Sequence, residues 1–344
     1  MDTGMNRQIR LAARPEGAPK KSDFELVETP VPEPGEGELV ARTIYLSLDP
    51  YMRGRMNDAK SYAQPVGIGE MMTGGAVSHV IASNNPRYSE GDILFGYSGW
   101  QDYALTNGKG FRKLDPAKAP ITTSLGILGM PGMTAYTGLS NIGQPKEGET
   151  LVVAAASGAV GATVGQIGKI RGCRVVGVAG SPEKCEFVTG ELGFDACLSH
   201  RDPDFADNLA SACPDGVDIY WENVGGKVFE AVLPLFNFFA RVPVCGLIAQ
   251  YNATALPEGP NKIPLLMRSV LSNRLRMQGF IVWDFAHQEA EFQETMSGWV
   301  RDGKVKYRED FTDGLENAPE ALIGLLKGEN FGKKIIRVSP DPTQ

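Results

Sequence analysis

LVVAAASGAVGATVGQIGKIRGCRVVGVAGS, residues 151–181, decides how the chain is read. Residues 151–155 are an apolar run of strand length, and a turn of small residues comes next. Residues 159–171 carry helical spacing, and 174–178 form a second β-branched run. Strand, tight turn, helix and strand in that order make half of a dinucleotide site and predict an α/β fold. The fingerprint Gly-x-Gly-x-x-Gly stands here as Ala156-Ser157-Gly158-Ala159-Val160-Gly161, with alanine replacing the first glycine. Gly158 would let the backbone approach a pyrophosphate, and Gly161 would let the helix close on the strand. The amides that open the helix would face the negative charge. A small-residue turn that only packs is the alternative.

The residues just beyond the second strand bear on the choice of nucleotide. An NAD site places Asp or Glu about 20 residues beyond the glycines, to accept from the ribose 2′-hydroxyl. Ala179-Gly180-Ser181 stands there instead, Lys184 comes soon after, and a third strand at 196–198 runs into Ser199-His200-Arg201. A small pocket rimmed by cations suits a 2′-phosphate, so the pattern favours NADPH; the alternative is that Lys184 and Arg201 are ordinary surface charges.

Downstream the alternation continues. Strands are predicted at 217–221, 241–246 and 275–282, and helices at 182–191, 204–212, 227–236 and 263–271. Such alternation implies a doubly wound parallel sheet whose ligands lie beyond the C-terminal strand ends. Those ends read Glu222-Asn223-Val224-Gly225-Gly226, Cys245-Gly246-Leu247-Ile248-Ala249-Gln250-Tyr251-Asn252 and Gly279-Phe280-Ile281-Val282. Each is also what a turn closing a strand would need, but several on one face favour a crevice.

Upstream, residues 1–127 hold short β-type runs at 38–45, 74–82, 92–97 and 101–105, which predict a small, irregular β-domain. Within it a strand end and a proline turn present Tyr51 and Arg53 close together, where a phenol and a guanidinium can line a cleft, so Tyr51 is a candidate donor to a substrate oxygen; a core tyrosine satisfied by backbone is the alternative. Near residue 125 the composition shifts to Gly, Met and Ala, and Pro131-Gly132 opens a helix. At the far end a strand-like 305–307, a helix at 318–327 and a strand at 333–338 suggest a return to the first domain. The expected division is 1–128, 129–302 and 303–344.

The 344 residues allow about two domains. A net charge of −7 and a pI near 5.2 argue against a nucleic-acid partner and offer no basic stripe to a membrane. Five scattered cysteines without a Cys-x-x-Cys pair read as reduced, buried small hydrophobes, and a cytoplasmic protein is expected. With only three histidines and no cysteine before Cys173, the usual zinc ligand sets are missing, and a metal-free enzyme is expected. No nucleophile elbow, Walker motif or His-Glu-x-x-His occurs, so hydrolysis by triad or metal is set aside. Without a metal, reduction of an activated C=C bond is the easier hydride chemistry. Charge gathers on the carbonyl oxygen, where a modest donor such as Tyr51, Tyr251 or a cofactor ribose hydroxyl suffices.

Seven motifs in order along the chain carry a resemblance: DPYMRGRM (49–56), GMPGMTAYTGL (129–139), AASGAVGATVGQIGKIRGC (155–173), ENVGG (222–226), GLIAQYN (246–252), GFIV (279–282) and NFGK (330–333). The chain resembles the zinc-free branch of the medium-chain dehydrogenase/reductase superfamily, in the group of prostaglandin, alkenal double-bond and curcumin reductases. The resemblance implies a doubly wound Rossmann domain inserted in a GroES-like β-barrel catalytic domain, NADPH as cofactor, an α,β-unsaturated carbonyl as substrate, and a homodimer. It assigns the pyrophosphate to Gly158, Ala159, Val160 and Gly161, and the 2′-phosphate to Lys184 and Ser181, with His200 where a tyrosine is usual. Ribose and nicotinamide fall to Asn223, Cys245, Gly246, Tyr251, Phe280, Ile281, Val282 and Asn330. Trp283 stands where mammalian members carry a substrate-facing tyrosine. A quinone reductase of the same architecture and a non-catalytic NADPH-binding protein are the rival readings.

Overall fold

A computed structural model describes residues 4–344. They form two compact units: one runs to Leu125 and resumes at Glu309, and the other is Gly126–Arg308. The chain crosses at 125/126 and 308/309 rather than at 128/129 and 302/303, because the flanking pieces are tied into the second unit. Gln293 Nε2 donates to the Leu128 carbonyl at 2.9 Å. Gln166 brackets Lys306, accepting from its amide at 2.7 Å and donating to its carbonyl at 2.9 Å. The expected strand at 305–307 is therefore an irregular segment, and the strand begins at Glu309–Asp313.

The second unit is built on a six-stranded parallel sheet. Its strands in chain order are Thr150–Ala154, Arg174–Ala179, Ala196–Ser199, Val217–Trp221, Phe236–Val244 and Arg276–Gly279. Thr150–Ala154 lies in the middle; the second and third strands stack to one side of it, the fourth to sixth to the other. All five of its residues are buried, as a strand covered by helices on both faces requires. Val152, Val176, Tyr220 and Val242 share one core with Leu209, Val228 and Val232 from the flanking helices. Because the winding reverses between the first and fourth strands, the crevice opens there, beyond their C-terminal ends.

The sixth strand is shorter than expected, since Val282–Gln288 coils into a 3₁₀ turn. Among the described residues it is an edge strand, paired only with Phe236–Val244, and all four of its residues are exposed. The helix Ile263–Asn273 has no buried residue, and Ile263, Leu265, Met267 and Leu271 are exposed.

The first unit is β-rich and mostly antiparallel. Leu39–Ser47 is its hub: one edge pairs with Ala76–Ser83, the other first with Tyr103–Thr106 and then with Lys333–Arg337 from the far end of the chain. That pairing is the return expected of the C-terminal residues. A hairpin of Met5–Leu11 and Phe24–Pro30 is not evident in the sequence; its polar alternation hides the strands, of which Ile9, Leu11 and Phe24 reach the core.

Candidate active site

The glycine turn of the second unit differs from a relaxed loop at one residue. Ala155 leaves the first strand with φ +53°, a left-handed conformation that L-residues adopt at some cost. Its carbonyl accepts from the Gly158 amide at 3.0 Å, which closes the turn. A Cβ on Gly161 would stand 2.3 Å from that same carbonyl oxygen, so only glycine lets the helix Ala159–Ile170 sit this close. Gly158 is different. Its Cβ would meet only the Ala155 oxygen at 3.3 Å, and its φ of −81° suits any residue. Packing therefore does not demand glycine there, and the space above it is open to a ligand. No side chain caps the helix that begins here, so the amides of Ala159, Val160 and Gly161, which have no carbonyl one turn earlier, remain as donors for an anion.

Beyond the second and third strands the charge is positive. Ser181 caps the helix Pro182–Gly190, its hydroxyl accepting from the Lys184 amide at 3.4 Å. The His200 amide donates to the Ala179 carbonyl at 3.1 Å, and the ring reaches to within 3.6 Å of where a Gly180 Cβ would be. Desolvation holds the His200 imidazole below its ordinary pKa, and Arg201, Lys184 and Lys227 push it the same way. Lys227 does not stand out in the sequence; its signal is its place directly after Gly225-Gly226, at the opening of the helix Gly226–Val232.

At the fourth strand end the buried Glu222 carboxylate organises the turn. One of its oxygens accepts from the amides of Val224 at 2.6 Å and Gly225 at 2.8 Å and from the Tyr220 hydroxyl at 3.0 Å. Burial nonetheless raises its pKa above the usual carboxylate value. Sequence reasoning assigns Glu222 no such role. Asn223, by contrast, spends its side chain on the scaffold, donating to the Ala154 carbonyl at 2.8 Å and accepting from the Trp221 indole at 3.1 Å. It thus clamps the first and fourth strands at the switch point. Cys245 and Gly246 donate their amides to the Glu222 carbonyl at 2.9 and 3.1 Å. Tyr251 folds back over this turn, its hydroxyl accepting from the Leu247 amide at 3.4 Å and lying 3.0 Å from a would-be Gly246 Cβ. Phe280 and Val282 are buried; Phe280 packs edge-on against Trp221 at 5.8 Å, so its ring supports the crevice floor. The Ile281 amide is held by Asp284 at 2.9 Å, and Trp283 is exposed.

In the first unit Tyr51 opens the short helix Tyr51–Arg55. Burial, and after it the charge of Asp49, pushes its hydroxyl well above the ordinary pKa, so it stays protonated. Asp49 is itself buried and gripped by Lys333 Nζ at 2.9 Å and by the Ser47 hydroxyl. Arg53 is not beside Tyr51 in a cleft: it is buried and donates to the Gly17 carbonyl at 2.8 Å and to Asn57 at 2.6 Å. Arg55 takes the position expected of Arg53, with its guanidinium 5.5 Å from the Tyr51 ring centre. Asn330 donates to the Gly332 carbonyl at 2.8 Å. Among the described residues, no three His, Cys, Asp or Glu side chains gather where they could hold a metal ion.

A family profile described as "N-terminal domain of oxidoreductase" matches residues 7–114, and one described as "Zinc-binding dehydrogenase" matches 159–300. A curated relative from Escherichia coli K12, NADPH-dependent curcumin reductase, is 61% identical over 98% of both chains. The chain belongs to the medium-chain dehydrogenase/reductase family. It falls in the zinc-independent group of curcumin, alkenal and prostaglandin reductases. Within that group, the tobacco 2-alkenal reductase (NADP(+)-dependent) is 42% identical over 97% of this chain and 98% of its own. A crystal structure of CurA in complex with NADPH from Vibrio vulnificus matches with TM-score 0.95 and 55% identity, covering 97% of this chain and 100% of that one. The fold is thus shared over nearly the whole chain.

Proposed function

We propose that this chain is an NADPH-dependent reductase of the C=C bond in α,β-unsaturated aldehydes and ketones, extended dienones of the curcumin kind included. The observation that carries the reading is the meeting of Lys184, Arg201 and Lys227 around His200 beyond a glycine turn, where no carboxylate stands to receive a 2′-hydroxyl. The relatives named as NADPH-dependent curcumin reductase and as 2-alkenal reductase support the substrate class.

The residues present fit the nucleotide. Gly158 leaves room for a pyrophosphate, and Ala159, Val160 and Gly161 offer amides to it. Ser181, Lys184 and His200 take the 2′-phosphate. The backbone of Asn223, Cys245 and Gly246, with Phe280, Ile281 and Val282, is suited to line the ribose and nicotinamide. Bound NADPH supplies a hydride to the substrate β-carbon. The chain's part is then to stabilise the enolate oxygen and to hold a proton. Tyr51 is suited to donate from its hydroxyl, because burial keeps that proton in place at neutral pH. Tyr251, with Leu247 donating to its oxygen, is the second candidate donor.

We also propose a cytoplasmic homodimer. The helix Ile263–Asn273 and the exposed edge strand Arg276–Gly279 leave apolar side chains and a ladder edge for a second copy. Five cysteines without a bridge suit a reducing compartment.

Monitoring NADPH oxidation with 2-alkenals, dienones and quinones tests the reading. Turnover of alkenals and dienones exceeding that of quinones supports it. Faster quinone turnover, or tight NADPH binding without turnover of any enone, overturns it.

A further inference from the structure

Two thiols twelve positions apart in sequence meet in the second unit. Cys185 lies in the first turns of the helix Pro182–Gly190, and Cys197 lies in the strand Ala196–Ser199. The Cys197 thiol donates to the Cys185 sulfur across 3.0 Å. Neither is the fully buried small hydrophobe expected of it; both are half-buried and within reach of a small oxidant. The strand behind them is tight, since a Cβ on Gly177 would stand 3.2 Å from the Cys197 sulfur. The two side chains therefore have no room to drift apart on that side.

We propose that Cys185 and Cys197 form an oxidisable dithiol, a modification site for hydroperoxides that tunes affinity for the nucleotide 2′-phosphate. The Cys185 thiolate attacks the O–O bond of the hydroperoxide, becoming a sulfenic acid as the alcohol or water departs. Cys197 then displaces hydroxide from that sulfur, its proton leaving with the hydroxide as water. The sum is two thiols and one hydroperoxide giving one disulfide, one alcohol and one water. The S–H donated by Cys197 lowers the Cys185 pKa and raises that of Cys197, which assigns the attacking and resolving roles in this order.

The consequence for the nucleotide rests on the reading of Ser181, Lys184 and His200 as the 2′-phosphate subsite. Lys184 directly precedes Cys185, Ser181 caps the same helix, and His200 comes three residues after Cys197. A disulfide needs its sulfurs near 2.05 Å, so the two sulfurs must approach by roughly 1 Å and the bond then ties the helix start to the strand. Lys184 and the capped amides move with that closure. NADPH then loses about one charge-assisted contact, whereas NADH, which has no 2′-phosphate, loses nothing.

The test treats the whole protein with hydrogen peroxide, then maps peptides and measures Kd for both nucleotides. The expected result is a Cys185–Cys197 linked peptide, two hydrogens lighter, with NADPH binding roughly tenfold weaker and NADH binding unchanged. A dithiol reductant restores affinity, and Cys197→Ser leaves a trappable sulfenic acid on Cys185 without a link. Recovery of both cysteines as free thiols or as separate higher oxides overturns the proposal, as does a linked protein with unaltered NADPH affinity. Equal NADPH and NADH affinities in the reduced protein, with the link still forming, instead locate the failure in the 2′-phosphate reading.

Discussion

Single side chains around His200 make the sharpest predictions. Lys184→Ala removes a cation from the proposed phosphate subsite, so Kd for NADPH should rise about tenfold or more while that for NADH holds. Titration calorimetry with both nucleotides reads this directly, and parallel losses would refute the assignment. His200 adds a pH dependence. Desolvation and three neighbouring cations depress its pKa in the free protein, and a phosphate dianion would raise it on binding. Its attraction is thus complete at low pH and fades as pH rises through the bound-state value. The affinity ratio of wild type to His200→Gln should fall as pH rises through the bound-state value; a ratio flat with pH would show that the imidazole never faces the phosphate. Asn223 behaves differently despite its place in a binding motif. Because it bridges Ala154 and Trp221, Asn223→Ala should cost about 1–3 kcal/mol in denaturant unfolding.

Elements are legible in the sequence where one physical cause dominates. Thr150–Ala154 and Arg174–Ala179 are apolar on both faces, and no other environment suits such runs, so their bounds lie within a residue or so of expectation. The helix Glu289–Arg301 escapes a sequence reading because only Phe292 and Met296 are buried in it, too few for its period to stand out among charged neighbours. The role of Lys227 is equally hidden, since it acts on His200, distant in sequence, and that of Glu222 depends on the turn bringing the Val224 and Gly225 amides onto its carboxylate. Even within the legible turn, the two glycines differ, and the difference can be measured. Gly161→Ala forces a methyl against the Ala155 carbonyl, so the helix must shift, and stability should fall by about 1–3 kcal/mol. Gly158→Ala meets no such wall. Its methyl would stand 3.3 Å from the Ala155 oxygen, so it should destabilise far less than Gly161→Ala, yet bind NADPH more weakly because the methyl occupies the pyrophosphate space. Thermal melts beside nucleotide titrations separate the two, and equal destabilisation by both would show that Gly158 is a packing residue as well.

For the molecule as a whole, the unsatisfied feature is a helix with a thin inside, where Val270 packs half-buried against the parallel-sheet core. Ile263–Asn273 carries enough apolar residues for an amphipathic stripe, yet none is buried within its own chain, and Leu271 is 80% exposed. Beside it the sheet ends in an unpaired ladder at Arg276–Gly279, and Arg274 lies 4.4 and 4.5 Å from the exposed rings of Phe238 and Phe239. An edge this open invites a strand from another chain, and no proline interrupts it, although Arg276 turns its guanidinium inward to the Ile142 carbonyl. A second copy related by a twofold axis would set like edge against like edge and bury the same helix twice. Leu271→Glu, with Met267→Glu, places charge where that burial would occur while touching nothing buried in the monomer. Sedimentation should then show the 37.1 kDa chain changing from a dimer in the wild type to a monomer in the variant, with its far-UV spectrum retained. A wild-type protein already monomeric at tens of micromolar would leave the apolar helix to some other partner and remove the basis for the dimer.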